Sequence, residues 1–446
     1  METTSSRAMR LALRALAEPP DAGSYFIAAY PPFSTWKPSE VAAAEGLLDG
    51  PRPSGPLGIY VHIPFCQKKC NYCYYLSFAG KDAGAVTSYL ETVIEELKLY
   101  ARLPAVRGRD VSFVYFGGGT PSLLSPDQIR FLGTGLSDAL PWNRVREVTF
   151  ECAPRSTRRE VVDAMLEIGV TRVSLGVQSF DDDLLRRNGR IHLAADARRA
   201  YRLLREAGFS TINIDLMAGL PGETSDQWRD SIWRAIDLEP DSVTLYPTEM
   251  PYNTRTFQDY ARGQLEAPPV AWSVKRERVG YGFEELEKAG FAVVSAYAAV
   301  KDPARHPFVY QEELWAGGDM LGLGIASFSY VAGAHYQNAA AIDAYGQRVR
   351  DGRLPIARAR LLQAEERFVR ELILQLKLGC VERRRFLEKF GEDVLERFST
   401  PLAGMEAEGW IVTSETGVSL TRAGLLRVDA LLPGFYLKEH QGVRYT

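Results

Sequence analysis

The chain is short of three things. It has five cysteines, five histidines and almost no excess charge, with 53 basic against 56 acidic residues and a formal net charge of −3. Five cysteines, two of them isolated at Cys152 and Cys380, exclude a secreted disulfide framework. The balanced charge excludes a strong pull toward nucleic acid or a membrane surface. No apolar run approaches the roughly 20 residues of a membrane-spanning helix. The stretch from Arg7 to Ala17 breaks its apolar residues with arginines and ends at Pro19-Pro20-Asp21, so it lacks the uninterrupted apolar core of a signal peptide. These absences read as a cytoplasmic protein with no nucleic-acid and no membrane partner. The remaining composition, 46% hydrophobic and 24% charged, is that of a globular protein. The length suits a large catalytic domain with a smaller one.

Three regions follow from local pattern. Residues 1–55 hold little strand signal and include Tyr30-Pro-Pro-Phe-Ser-Thr-Trp-Lys-Pro38, which reads as an extended arm packed on the rest or as a surface linker. Residues 56–354 alternate strands and helices. The strands are Ile59–Ile63, Val111–Phe116, Glu147–Cys152, Arg172–Val177, Thr211–Met217 and Ser242–Thr248. Helical periods lie at Val86–Leu103, Thr157–Ile168, Ala194–Ala207, Ser225–Leu238 and Ala271–Ala289, before an apolar run at Phe291–Tyr297. Repeated βα units predict a parallel sheet with helices outside, and six units predict a partial barrel. Residues 355–446 change to helices at Gln363–Lys377, Val381–Phe390 and Val394–Glu408. Two short strands follow near Gly409–Thr413 and Val418–Thr421, then a final helix from Arg422. That order predicts a winged-helix-like α+β domain. Its last helix is largely apolar and carries no basic stripe, so a lid over a substrate fits better than DNA binding.

The chemistry concentrates in Tyr60-Val-His-Ile-Pro-Phe-Cys-Gln-Lys-Lys-Cys-Asn-Tyr-Cys-Tyr-Tyr75. Cys66, Cys70 and Cys73 form C-x3-C-x2-C with no fourth cysteine close behind. Three thiolates on a [4Fe–4S] cube leave one iron open to a small molecule. The alternative is a zinc site of His62 and the three cysteines. Downstream, Phe116-Gly-Gly-Gly-Thr-Pro-Ser122 follows a strong strand. Glycines at a strand's C-terminal end let the backbone approach a ligand.

Together these motifs resemble the radical S-adenosylmethionine (SAM) enzymes, in particular the oxygen-independent coproporphyrinogen III oxidase-like family. The resemblance covers the barrel and the C-terminal domain. It implies a cluster whose open iron is chelated by SAM and which cleaves SAM to a 5′-deoxyadenosyl radical. It implies SAM contacts from Tyr60 and from the turn Gly117, Gly118, Gly119 and Thr120. Glu151 in Thr149-Phe-Glu-Cys and Gln178 in Gly176-Val-Gln-Ser match residues at the ribose. Arg190 in Asn188-Gly-Arg-Ile-His matches an arginine for the SAM carboxylate. Asp215 in Asn213-Ile-Asp-Leu matches an aspartate near the ribose and a second SAM. Taken singly, each of these polar residues is equally well a cap or a surface charge. The segment Asp319–Ser329, continuing to Asn338, resembles one that closes over a pair of SAM molecules; the alternative is a packed terminal barrel strand. A flavodoxin or ferredoxin is the implied electron donor.

Two departures choose among branches of that family. Tyr75 stands where the porphyrinogen decarboxylases have a further cysteine. Phe308–Trp315 lacks the histidine and asparagine of the heme-chaperone branch, although His306 is close. The remaining branch resembles methyltransferases and cyclopropanases of natural-product biosynthesis. The expected reaction is therefore methylation or cyclopropanation of an unsaturated small molecule, with a second SAM as one-carbon donor. A porphyrin or heme enzyme, or a heme chaperone, is the alternative. Candidate substrate contacts are Trp36, Tyr74, Tyr75, Tyr246 and Tyr297, each equally suited to a core. Glu249 is a candidate for handling a proton or for a structural role.

Overall fold

The computed structural model describes residues 29–443. The arginine-broken segment from Arg7 to Ala17 and the first half of the arm lie outside the described residues. Six neighbouring parallel strands follow chain order: β1 (Leu57–Ile63), β2 (Val111–Gly118), β3 (Glu147–Cys152), β4 (Arg172–Gln178), β5 (Thr211–Ala218) and β6 (Ser242–Pro247). Their central residues are buried on both faces, as a parallel sheet covered by helices requires. This is the partial barrel expected from the six βα units.

The sheet extends further on both sides, to twelve strands. Beyond β6 lie β8 (Ala298–Val300) and β7 (Ala292–Val293), both antiparallel, so the Phe291–Tyr297 run is split rather than one strand. Beside β1 lie β9 (Asp319–Leu323, parallel), then β10 (Phe328–Val331), β11 (Ala334–Asn338) and β12 (Ile356–Leu361), all antiparallel. The main sheet thus runs on past residue 354 to Leu361. The arm joins it there. Lys37 exchanges two backbone hydrogen bonds with Ala359, at 2.8 and 3.0 Å.

The helices sit outside the barrel. The one at Pro126–Ala139 starts with a reciprocal cap between Ser125 and Gln128, an arrangement that contributes about 1 kcal/mol. A single large core joins these helices to the outer face of the sheet. A second core fills part of the barrel interior and continues into the C-terminal domain, joining Phe113, Tyr297 and Trp315 to Phe368, Trp410 and Leu432. Its centre is a short helix, Val309–Trp315, tucked under the barrel. The buried carboxylate of Glu147 accepts from the N–H groups of Val309 and Tyr310 at 3.2 and 3.3 Å and pins that helix end.

The C-terminal domain is winged-helix-like. A helix (Ala364–Leu376) precedes a three-stranded sheet of β13 (Cys380–Glu382), β14 (Ile411–Ser414) and β15 (Gly417–Leu420), with β15 central. Three helices, Arg383–Phe390, Val394–Arg397 and Ser399–Ala407, lie between β13 and β14. The tail returns to the arm. Tyr30 Oη accepts from the N–H of Leu437 at 3.0 Å and stands 2.7 Å from His440 Nδ1.

Candidate active site

The C-terminal ends of the parallel strands open onto a cavity of ≈ 390 Å³. Its rim carries the three cysteines, all free thiols of intermediate burial. Burial pushes the Cys66 thiol up and Cys73 to about 11, so thiolates form here only with compensation. Partners for sulfur stand ready. Thr120 Oγ1 is 3.5 Å from Cys66 Sγ, and Arg190 Nη1 is 3.4 Å from Cys70 Sγ.

The glycine turn owes its sequence to the cysteine loop below it. Gly119 N–H donates to Ile63 O and Thr120 N–H to Phe65 O, both at 2.8 Å. A Cβ on Gly119 would stand 2.7 Å from both of those carbonyl oxygens. Gly118 has φ +109°, and a Cβ there would lie 2.4 Å from the His62 ring. The Gly118 N–H is itself engaged by Glu151 Oε2 at 3.1 Å. A ligand therefore meets this turn through carbonyl oxygens, the polarity an ammonium group requires. Gly117 and Gly118 sit behind the cavity surface, whereas Gly119 and Thr120 line it.

The polar residues singled out in the sequence converge on this cavity: Tyr60, Glu151, Gln178, Arg190 and Asp215 all line it. Tyr60 stacks on Tyr115 across the β1–β2 register, with ring centroids 5.7 Å apart. Tyr115 Oη donates to Glu151 Oε1 at 2.8 Å. Burial, with Asp215 nearby, pushes Glu151 up to about 7. Asp215 accepts from Ser174 Oγ and Asn213 Nδ2, both at 2.8 Å, and burial pushes it up to about 6.

Gln178 ends β4 with φ +68°, an unfavourable region for a side-chain-bearing residue. Its Oε1 is buried with no hydrogen-bond partner. Arg190 is held from below by His192, whose Nδ1 accepts from Arg190 Nε at 3.3 Å while Nε2 faces Val177 O at 3.0 Å. Burial and the neighbouring guanidinium push His192 down to about 3, so its ring is neutral. The sequence pattern did not single out His192, Tyr115 or Ser174. The signal was their register, since Ser174 pairs with Glu151 on one side and Asn213 on the other.

Tyr74, Tyr75, Tyr246, Tyr297 and Glu249 line the same cavity. Trp36 does not. It is 4% exposed and stacked on His335 at 4.9 Å, in the packing between arm and sheet. The segment Asp319–Asn338 does not line the cavity either. Its Gly322 and Gly324 serve strand packing, for a Cβ at either would lie 2.3 Å from Phe328 O or Tyr89 Oη.

The residues fit an iron–sulfur cluster with SAM. Three soft thiols share one rim, two of them facing hydrogen-bond donors. The orphaned Gln178 oxygen and the crowded Gly119 turn both face or border the adjoining space. They do not suit zinc. His62 is buried, its Nε2 stands 3.0 Å from Leu76 O, and its other edge packs on Gly118, so it is turned away from the thiols. Among the described residues, no three His, Cys, Asp or Glu side chains converge on a single metal position. In a cube each cysteine binds a different iron, so such convergence is not needed.

Comparison with known proteins agrees. Residues 60–232 match the radical SAM superfamily model. The heme chaperone HemW of Mycobacterium tuberculosis is 30% identical over 348 residues, covering 75% of this chain and 87% of that protein. The oxygen-independent coproporphyrinogen III oxidase of Pseudomonas aeruginosa is 28% identical over 402 residues, 86% of each chain. The structure of coproporphyrinogen III oxidase (HemN) from Escherichia coli superposes with a TM-score of 0.79 at 24% identity, covering 92% of this chain and 96% of that one. These relatives are heme and coproporphyrinogen proteins, and the expected methylation or cyclopropanation is corrected on that ground. The chain belongs to the radical SAM superfamily, in the family shared by the heme chaperones and the oxygen-independent coproporphyrinogen III oxidases, and its cofactors are a [4Fe–4S] cluster and SAM.

Proposed function

We propose that this chain is a radical SAM enzyme of porphyrin and heme metabolism that acts on a coproporphyrinogen-type tetrapyrrole. The observation that carries this reading is the cavity wall. The stacked pairs Tyr74–Tyr75 (4.6 Å) and Tyr246–Tyr297 (6.1 Å) and the tilted pair Tyr115–Tyr310 (4.6 Å) line it. Such a surface suits the several aromatic pyrrole rings of a large, largely apolar tetrapyrrole with polar edges.

Cluster and SAM, when bound, supply one-electron chemistry that removes a hydrogen atom from carbon. The chain's own residues prepare the site for it. Cys66, Cys70 and Cys73 hold the irons. Tyr115 and the Gly118 N–H aim Glu151, while Ser174 and Asn213 aim Asp215, so two carboxylates stand fixed where ribose hydroxyls are to be bound. Gln178 Oε1 offers a further acceptor. The aromatic walls exclude water. Lys68 and Lys69 stand exposed at the tip of the cysteine loop, where a flavodoxin or ferredoxin would deliver electrons.

A heme chaperone is the second reading. It is favoured by the HemW relative and by Tyr75, which is 46% exposed at the cavity and bears a phenol of the type that ligates heme iron. One experiment separates the two. Anaerobically reconstituted protein is given SAM, a reductant and coproporphyrinogen III, and in parallel is titrated with hemin. Coproporphyrinogen consumption together with 5′-deoxyadenosine formation supports the enzyme. Stoichiometric hemin binding without coproporphyrinogen turnover supports the chaperone. Binding of neither tetrapyrrole removes both.

A further inference from the structure

Behind the cavity the barrel interior is polar. Residues two apart on one strand share a face. Arg172 and Ser174 on β4, Asn213 and Asp215 on β5, and Ser242 and Thr244 on β6 therefore meet inside the barrel. In the register Ser174 stands beside Asn213, and Asn213 beside Ser242. Ser174 and Asp215 line the cavity, and the other four do not reach it. Arg172 is 2% exposed, with its guanidinium 4.2 Å from the centroid of the Phe308 ring.

Hydrogen bonds connect this arginine to the carboxylate. Arg172 Nη2 donates to Ser242 Oγ at 2.9 Å, and Ser242 Oγ donates to Asn213 Oδ1 at 2.8 Å. Thr244 Oγ1 donates to the same oxygen at 3.0 Å. Asn213 Nδ2 donates to Asp215 Oδ1 at 2.8 Å and to Ser174 Oγ at 3.1 Å. Ser174 Oγ in turn donates to Asp215 Oδ2 at 2.8 Å.

The arginine sets the direction of this relay. A guanidinium only donates, so Ser242 accepts there and passes its one proton to Asn213. That fixes which end of the Asn213 amide is oxygen and turns its two N–H groups on Ser174 and Asp215. Ser174 accepts from Asn213 and has its one proton left for Asp215. The relay ends on the carboxylate and holds both of its oxygens from below. Hydrogen bonds to the charged form favour an ionised carboxylate. Burial pushes Asp215 up, while Ser174, Asn213 and the Arg172 charge oppose that push. The other titratable groups facing it are Glu151 on β3, Tyr115 on β2 and Tyr246 on β6. Arg172 is the cation of this group.

Packing does not account for the arginine. Its Nε and Nη1 are buried without a hydrogen-bond partner, which costs stability. What it supplies is charge and direction.

We propose that Arg172 is a positioning residue: through Ser242, Asn213 and Ser174 it keeps Asp215 an acceptor-only carboxylate at the cavity surface, which selects a ligand that presents a hydroxyl there. The inference rests on the reading that Asp215 binds the SAM ribose.

The test uses the full chain with its cluster, without oxygen and without reductant, so that SAM is bound but not cleaved. Calorimetry gives dissociation constants for SAM and for its 2′-deoxy and 3′-deoxy analogues from about pH 5.5 to 8.5, the range that spans the raised carboxylates. The variants are Arg172→Met, Arg172→Lys, Ser242→Ala and Asp215→Ala. Ser242→Ala removes a single hydroxyl and stands in if Arg172→Met does not fold.

Wild type should bind SAM about tenfold more tightly than the analogue lacking the contacted hydroxyl, the scale of one hydrogen bond to a charged group. Asp215→Ala should erase that difference. Arg172→Met and Ser242→Ala should lose most of it, yet bind the deoxy analogue as wild type does and keep their iron. SAM affinity should climb as Asp215 ionises. Arg172→Met should move that climb to higher pH, because a carboxylate that loses a nearby cation holds its proton longer, and Arg172→Lys should move it back. The part of the profile that persists in Asp215→Ala belongs to Glu151. Full discrimination and an unshifted profile in Arg172→Met and Ser242→Ala overturn the inference and leave Asp215 at the ribose. Equal weakening of SAM and both analogues in those variants also overturns it, since that is structural damage alone. No discrimination in wild type removes the ribose reading of Asp215 and the inference with it.

Discussion

Arg190 Nη1 lies 3.4 Å from the sulfur of Cys70, and the same guanidinium is anchored through Nη2 on the Gly176 carbonyl and through Nε on His192. With Cys70 as a ligand of the proposed cluster, an arginine fixed at three points beside its sulfur would tune the cluster as well as bind a carboxylate. Hydrogen bonds and positive charge at cluster sulfurs raise the reduction potential. Arg190→Met should therefore lower the midpoint potential by about 60 mV or more, the one-electron equivalent of losing about 1.4 kcal/mol. Thr120→Val, which removes the weaker contact to Cys66, should lower it less. A redox titration followed by electron paramagnetic resonance, with iron content as the control, reads both. An unchanged midpoint in Arg190→Met would leave the arginine with ligand binding alone.

The five cysteines divide into two groups. Protein purified without oxygen should carry about four irons per chain. Cys66→Ser, Cys70→Ser or Cys73→Ser should each lower that content and abolish 5′-deoxyadenosine formation from SAM. Cys152, buried with its sulfur 3.9 Å from the Met165 sulfur, and Cys380, exposed on the C-terminal domain, should change neither when replaced by Ser. Iron and sulfide assays with product analysis decide. Loss of iron in Cys380→Ser would show that a fourth protein ligand exists.

The glycine turn predicts a stability effect. A methyl group at Gly119 must displace backbone carbonyls of the cysteine loop, and one at Gly118 must hold a left-handed conformation while pushing His62 aside. Gly118→Ala and Gly119→Ala should each cost about 2–4 kcal/mol. Gly208→Ala is the comparison. It too has positive φ, but nothing lies within 4 Å of the new atom, so its cost is backbone strain alone, about 1 kcal/mol. Urea denaturation of the apoprotein measures the three.

Buried carboxylates give the apoprotein a pH dependence of defined sign. Burial raises Glu96 to about 8, Glu151 and Glu223 to about 7, and Asp215 to about 6. The native state therefore holds protons that the unfolded chain has released, and stability falls as pH rises from about 4.5 to about 8. Glu151 alone accounts for about 3 kcal/mol of that fall. Denaturation midpoints measured across this range should decline, and Glu151→Gln should flatten the decline between about pH 5 and 7. A midpoint that climbs over that interval would contradict the assignment.

Much of this site could be read from sequence because its parts are local. Glu147–Cys152 and Ala194–Ala207 have the bounds their apolar periods predict, and the cysteines and glycines are contiguous motifs. What escaped is set by contacts distant along the chain. The helix Val309–Trp315 is too short to show a period, and the carboxylate that pins it lies 162 residues earlier. Lys377 reads as an ordinary basic residue at a helix end. Its burial depends on Asp429, which arrives from a separate short helix. Trp36 and Tyr297 are both aromatics beside turns, and only the three-dimensional packing puts one behind the sheet and the other in the cavity. The same limit applied to the reaction. Tyr75 and the Phe308–Trp315 run pointed away from heme chemistry, but the family's likeness extends over most of the chain and outweighs them.

The contact of Tyr30 with Leu437 and His440 turns the molecule into a closed belt. The arm buckles onto the tail, and between them run the sheet edge at Ala359 and the helix of the C-terminal domain that starts at Ala364. A protease or a solvent-exchange front entering from either side meets the same buckle. The arm and the tail should lose protection together, at one rate, and Tyr30→Phe should loosen both ends while leaving the cluster loop as slow to exchange as before.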